Sequence, residues 1–136
     1  ENLILDLEKI KYSTNPYNVN TLTQIAAATA LLDNDYYLNN AKVIIKNRDF
    51  TKKELEKLGF IVLDSKANFI FAKNSKIDGK SLYLRLKEQG VLIRHFDRDR
   101  ISDFIRITIG SLAEMKIFVE KLKNILYFKR FQNNLY

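Results

Sequence analysis

Two arginines in this chain stand where an arginine is hard to accommodate without an anion. Arg106 falls inside Ile105-Arg106-Ile107-Thr108-Ile109-Gly110, where three isoleucines at alternate positions mark one buried face of a β-strand. Side chains alternate along a strand, so Phe104, Arg106 and Thr108 share the opposite face. A guanidinium in such apolar company loses hydration and is stabilised only by pairing. Arg94 closes a second apolar run, Gly90-Val91-Leu92-Ile93-Arg94. Two strand-borne guanidiniums suit a carboxylate or a phosphate, because the planar fork of donors matches those oxygens in pairs. The plain alternative is a surface arginine at each place, since strand faces alternate polar and apolar by default. That alternative weighs more heavily for Arg94, at a strand end, than for Arg106.

Other candidates are weaker. His95 is the only histidine and, next to Arg94, invites a general-base role, but no serine or cysteine nucleophile is signposted beside it. Asp97, Arg98, Asp99 and Arg100 read as a solvated loop. With no cysteine, disulfides and thiolate metal sites are excluded, and one histidine is too few for a zinc site. No metal is expected.

The elements that must position the two arginines follow from periodicity and breakers. Leu3 to Ile10 has a helical pattern with Leu3, Leu7 and Ile10 on one face, and it runs into the breaker cluster Ser13-Thr14-Asn15-Pro16. Thr21 and Gln24 predict a capping box for an alanine-rich helix through Ile25 to Leu32, small enough for close packing against a neighbour. Asp33-Asn34-Asp35 breaks that pattern and offers a new N-cap. The next helix carries Leu38, Val43, Ile44, Leu55 and Leu58, and Thr51 with Glu54 spells a second capping box that would split it. Phe60 to Leu63 and Phe69 to Ala72 read as strands joined through Asp64 to Lys66, and Asn74 to Lys76 as a loop. Asp78 caps a helix through Leu82 and Leu86 that stops at Gly90. Ser111 and Glu114 open the last helix, with Ile117, Phe118, Leu122 and Leu126 expected to be buried. Gly59 and Gly90 serve as helix stops and Gly110 as a strand-to-helix turn, so none lies in a phosphate-cradling loop. The fold class is α+β: a short mixed or antiparallel sheet covered on one face by helices.

Composition bounds the rest. A chain of 136 residues with 46% apolar and 29% charged residues suits one folded domain. The net charge of +7 admits a basic nucleic-acid-binding module, with Tyr127-Phe128-Lys129-Arg130-Phe131 as its best patch. The lysines, however, interleave with acids, as Lys52, Lys53 and Lys57 do with Glu54 and Glu56, which is the pattern of a solvated helix face. No nucleic acid is expected as a partner. No apolar run approaches the ~20 residues of a membrane span, and no secretory signal opens the chain, so a cytoplasmic location and no membrane partner are expected.

Taken in order, these segments resemble the C-terminal domain of the histidinol-phosphate aminotransferase family, within the fold-type I pyridoxal-phosphate enzymes. The resemblance rests on Pro16-Tyr17-Asn18-Val19-Asn20 with Gln24, on Leu58-Gly59-Phe60, on Ser65-Lys66-Ala67-Asn68-Phe69, and on the two arginine motifs, and it covers about Leu3 to Leu126. It implies one long helix rather than two before Gly59. It implies a connecting helix and domain-entry segment at 1–17, a small domain at 18–127 and a tail at 128–136. Arg106 matches the family's main substrate arginine and Arg94 the one that helps hold a substrate phosphate; Asn18 and Asn68 fall at hinge or turn positions. The family's cofactor lysine lies in a Ser-Lys motif followed by Gly-x-Arg. Ser65-Lys66 and Ser75-Lys76 both lack that continuation. The resemblance therefore implies no catalytic residue here and no pyridoxal phosphate bound by this chain alone, with the cofactor held elsewhere in a homodimeric parent enzyme. A phosphate- or carboxylate-bearing small molecule is the implied substrate. A threonine-phosphate decarboxylase, or an aromatic or broad-range aminotransferase, would be similar in this region.

Overall fold

A computed structural model of the chain describes residues 2–15 and 17–132. Pro16, the expected domain entry, lies outside the described residues, as do the tail beyond Gln132 and the side chains of the Phe128-Lys129-Arg130-Phe131 patch. The elements run α1 (Asn2–Thr14), α2 (Thr21–Leu32), α3 (Asn34–Lys57), β1 (Phe60–Val62), β2 (Phe69–Asn74), α4 (Gly79–Glu88), β3 (Arg94–His95), β4 (Phe104–Thr108) and α5 (Leu112–Gln132). The chain falls into two compact units, Glu1–Asn39 and Asn40–Tyr136.

In the first unit no described residue is buried. The α1 stripe of Leu3, Leu7 and Ile10 is exposed, and so are Leu22, Ile25, Leu31 and Leu32 of α2, so the close packing expected of the alanine-rich helix is absent among the described residues. The cap of α2 also sits one residue earlier than predicted. Asn20, not Thr21, is the N-cap, and its side chain accepts from the Thr23 amide at 2.9 Å. Gln24 does not close a box but donates to the Val19 carbonyl at 3.0 Å. Asparagine outranks threonine as a cap, which decides between two adjacent candidates.

The second unit is built on a four-stranded sheet of order β1-β2-β4-β3, antiparallel at every pairing. One sheet face, carrying Phe60, Ile70, Ala72, Ile105 and Ile107, forms a single apolar core with Leu55 of α3, Leu82 and Leu86 of α4, and the α5 stripe Met115, Phe118, Val119, Leu122 and Ile125. Ile117, expected in that stripe, is 50% exposed. It falls off the i, i+3, i+4, i+7 face that Met115, Phe118, Val119 and Leu122 define. Leu126 is half-buried against the core.

α3 is one uninterrupted helix. Thr51 caps nothing; it is fully buried and its hydroxyl donates to the Asn47 carbonyl at 2.7 Å. Glu54 instead pairs with Lys57 and Lys123 at 2.6 and 3.6 Å. β2 runs two residues past its expected end. Asn74 is buried there, and its amide donates to the Leu58 carbonyl while accepting from the Lys76 amide. The strand expected at Gly90–Arg94 shrinks to Arg94–His95. Gly90 is left-handed (φ 77°) and the Val91 amide returns to the Leu86 carbonyl at 2.9 Å, so these residues close α4 rather than start a strand. Gly59 (φ 82°) ends α3 in the same backbone region.

The box at the start of α5 forms as predicted. The Ser111 amide and hydroxyl donate to one Glu114 carboxylate oxygen at 2.7 and 2.8 Å, and the Ser111 hydroxyl oxygen accepts from the Glu114 amide at 3.3 Å. These bonds hold the Glu114 carboxyl below the usual glutamate range. A lowered folded-state pKa stabilises the fold above the ordinary glutamate value, and that contribution fades as pH falls through the lowered one. Thermal melts should therefore show Glu114→Ala less stable than wild type at neutral pH, with the gap narrowing below about pH 4. A gap independent of pH would contradict this role for the carboxylate.

Candidate functional site

The face of the sheet opposite the core carries the two candidate arginines. β2 and β4 pair with Phe69 opposite Thr108, Phe71 opposite Arg106 and Lys73 opposite Phe104. β3 pairs with β4 so that Arg94 lies directly across from Arg106. The period-two pattern read from Ile105, Ile107 and Ile109 holds: all three are buried, while Arg106 is half-buried and Arg94 exposed. The two arginines singled out in the sequence are thus brought together as a cross-strand pair on one face. Like charges directly opposite repel, and among the described residues neither guanidinium has an ion-pair partner. Arg106 Nε is buried with no hydrogen-bond partner. Chemically, this is a pair of cations with no described carboxylate within ion-pair distance of either.

Aromatic rings pack around the fork. The Arg106 guanidinium carbon lies 5.4 Å from the Phe69 ring centre and 5.7 Å from that of Phe96, and the Arg94 carbon lies 5.5 Å from the Phe96 ring. Phe71 stacks on Phe104 at 4.6 Å, and Lys73 lies over Phe104 at 5.1 Å. His95 does not face this cluster's cations as a base. It stacks on Tyr83 of α4, and its Nε2 is 2.8 Å from the Ser102 carbonyl, across the connection from β3 to β4. That connection is backed closely by α4: a Cβ on Gly79 would lie 2.6 Å from the Ser102 carbonyl oxygen. Asp97, Arg98, Asp99 and Arg100 are exposed, as expected, with Arg100 at φ 70°.

α3 fixes the end of the sheet beyond Thr108. Asn47 donates to the Gly110 carbonyl at 3.0 Å and Arg48 to the Ala67 carbonyl at 2.9 Å, both side chains being largely buried. Between these anchors the Ile109 amide donates to the Asn68 carbonyl at 2.9 Å. Sequence reasoning passed over Asn47, Arg48 and the Phe69–Phe71–Phe96 cluster. A signal existed for the first two, which occupy core positions of the helical stripe through Ile44, Thr51 and Leu55.

Lys66 and Lys76 are exposed on turns. Lys66 rims an open cleft of about 280 Å³ whose charged lining also includes the ion pairs Arg48–Asp49 and Lys52–Asp64. No group of histidine, aspartate and glutamate among the described residues could hold a metal, and no described helix is long and apolar enough to cross a membrane.

Comparison with known proteins places these features in context. The family model described as aminotransferase class I and II matches residues 7–122. A histidinol-phosphate aminotransferase of Brachyspira hyodysenteriae is 49% identical over 126 residues, covering 93% of this chain and 36% of that protein. The crystal structure of the histidinol-phosphate aminotransferase from Clostridium acetobutylicum superposes with a TM-score of 0.72 at 31% identity, over 94% of this chain and 38% of that one. A decarboxylase from Sulfurospirillum multivorans shares the fold, with a TM-score of 0.70 at 23% identity over 89% of this chain and 36% of that one. The chain spans about a third of the length of the curated relatives it matches.

Proposed function

We propose a function from one premise: the chain belongs to the aminotransferase class I and II family. It supplies residues 18–127 as the small domain of a pyridoxal-phosphate-dependent enzyme, with 1–17 as the connecting and entry segment and 128–136 as a tail. The parent enzyme passes an amino group from glutamate to imidazole-acetol phosphate, giving histidinol phosphate and 2-oxoglutarate, a step of histidine biosynthesis. It works as a cytoplasmic homodimer whose subunits pair through the cofactor domain. The electron-sink chemistry belongs to the cofactor. The cofactor and its Schiff-base lysine belong to another domain of the parent, so the chain alone is expected not to transaminate.

The observation that carries this reading is the cross-strand pair Arg94 and Arg106 on one sheet face, neither within ion-pair distance of a described carboxylate and Arg106 Nε without a hydrogen-bond partner. A phosphate dianion balances two such charges, whereas a single carboxylate balances one. Arg106 forks onto the substrate's anionic group, and Arg94 adds the second cation that a phosphate can use. The small domain in this way fixes the far end of the substrate while the reacting end lies at the cofactor.

The experiment is an assay of the full-length protein with glutamate and imidazole-acetol phosphate. Transamination supports the reading; carbon dioxide release from threonine phosphate without transamination would replace it with the decarboxylase. Within the same assay, Arg94→Ala should raise KM for the phosphate substrate by about tenfold, the size of one charge-assisted hydrogen bond, and leave KM for glutamate nearly unchanged. Equal losses for both substrates would remove Arg94 from the phosphate site.

A further inference from the structure

Arg94 and Arg106 repel one another across the β3–β4 pairing, yet both guanidiniums contact a single ring. Phe96, the residue after β3, lies 5.5 Å from the Arg94 guanidinium carbon and 5.7 Å from that of Arg106. Phe96 is itself braced edge-on by Phe71, with ring centres 6.2 Å apart and planes at 72°. Phe71 in turn stacks on Phe104. Phe69 is a second ring on Arg106, at 5.4 Å. An aromatic face attracts a cation through its quadrupole and offers no hydrogen-bond acceptor in the ring plane. Rings against a guanidinium therefore restrict it without consuming its N–H donors.

We propose that Phe96 is a positioning residue for the anion site: its ring, shared by Arg94 and Arg106 and braced by Phe71, sets the two guanidiniums so that one tetrahedral dianion bridges their free N–H edges. The inference rests on the reading of these arginines as the substrate's phosphate site and adds the residue that holds them in register. Phe96 touches neither the reacting atoms nor, in this role, the anion. It lowers the cost of keeping two like charges side by side before the anion arrives. An aliphatic side chain of similar size would fill the space but leave the cations unrestrained.

The test is a titration of the full 136-residue chain with inorganic phosphate, followed by the arginine side-chain N–H resonances, with thermal melts on every variant. In wild type the Arg94 and Arg106 resonances should carry ring-current shifts and should move together on adding phosphate. Phe96→Leu should abolish the ring-current shift at Arg94, leave Arg106 with that of Phe69 alone, and weaken phosphate binding about fivefold, the scale of a cation–π contact, at an unchanged melting temperature. Phe96→Tyr should restore both, which a filler role would not require. If Arg94→Ala and Arg106→Ala weaken phosphate binding while Phe96→Leu binds like wild type, the role of Phe96 is overturned and the site stands. If wild type shows no phosphate-dependent shift at either arginine, the site reading and this inference fall together.

Discussion

Arg106→Ala in the full-length enzyme is expected to lower kcat/KM by about ten- to a hundredfold in both half-reactions while leaving the melting temperature near wild type. The size follows from losing a charge-assisted hydrogen bond, typically about 1.5–3 kcal/mol, at about 1.4 kcal/mol per tenfold in rate. Stability is spared because Arg106 lies on the open face of β4, away from the core that Ile105 and Ile107 enter. Its removal also relieves the repulsion from Arg94 across the pairing. Arg106→Lys should fall between wild type and alanine, since lysine keeps the charge and loses the planar fork. Steady-state kinetics on both half-reactions, with melts as a control of folding, decides the matter. Near-normal rates with alanine would place the substrate's anion on another element.

The neighbouring residue should behave in the opposite way. Ile107 is 2% exposed and belongs to the core shared by the sheet with α3, α4 and α5. Ile107→Ala should cost about 2–5 kcal/mol of unfolding free energy, combining lost transfer energy with the cavity left behind. The surviving folded enzyme should still prefer the phosphate-bearing substrate, because Arg106 points the other way from the same strand. Urea unfolding and substrate competition on one preparation measure both quantities. A loss below about 1 kcal/mol would mean that the site collapses around the truncation or that this face is not the core. Loss of substrate preference at unchanged stability would reverse the assignment of the two faces.

Much of this was legible in the residues because it is local. The alternation in β4, the Asp78 cap of α4 and the Ser111–Glu114 box of α5 each depend on a few consecutive positions, and each appears where expected. What escaped is non-local or a matter of competition. Nothing in the run Gly90 to Arg94 says that its first residues serve the end of α4, leaving only Arg94 and His95 to pair. Nothing in either arginine motif fixes the register that sets Arg94 opposite Arg106 rather than opposite a neighbour. Likewise Phe96 reads as one more loop residue until the pairing brings both guanidiniums to it. The exposed stripes of α1 and α2 show the limit from the other side. Periodicity says that a helix has an apolar face, not what covers it.

The affinity of the full-length enzyme for histidinol phosphate relative to histidinol, in wild type and in the Arg94→Ala/Arg106→Ala double variant, tests the paired-guanidinium site most directly. The two ligands differ only in the group that the fork is held to bind. Wild type should prefer the phosphate ester strongly, and in the double variant that preference should shrink by about a hundredfold or more, as two charge-assisted contacts are removed together. A preference left intact in the double variant would contradict the site, whatever the effect of the substitutions on rate.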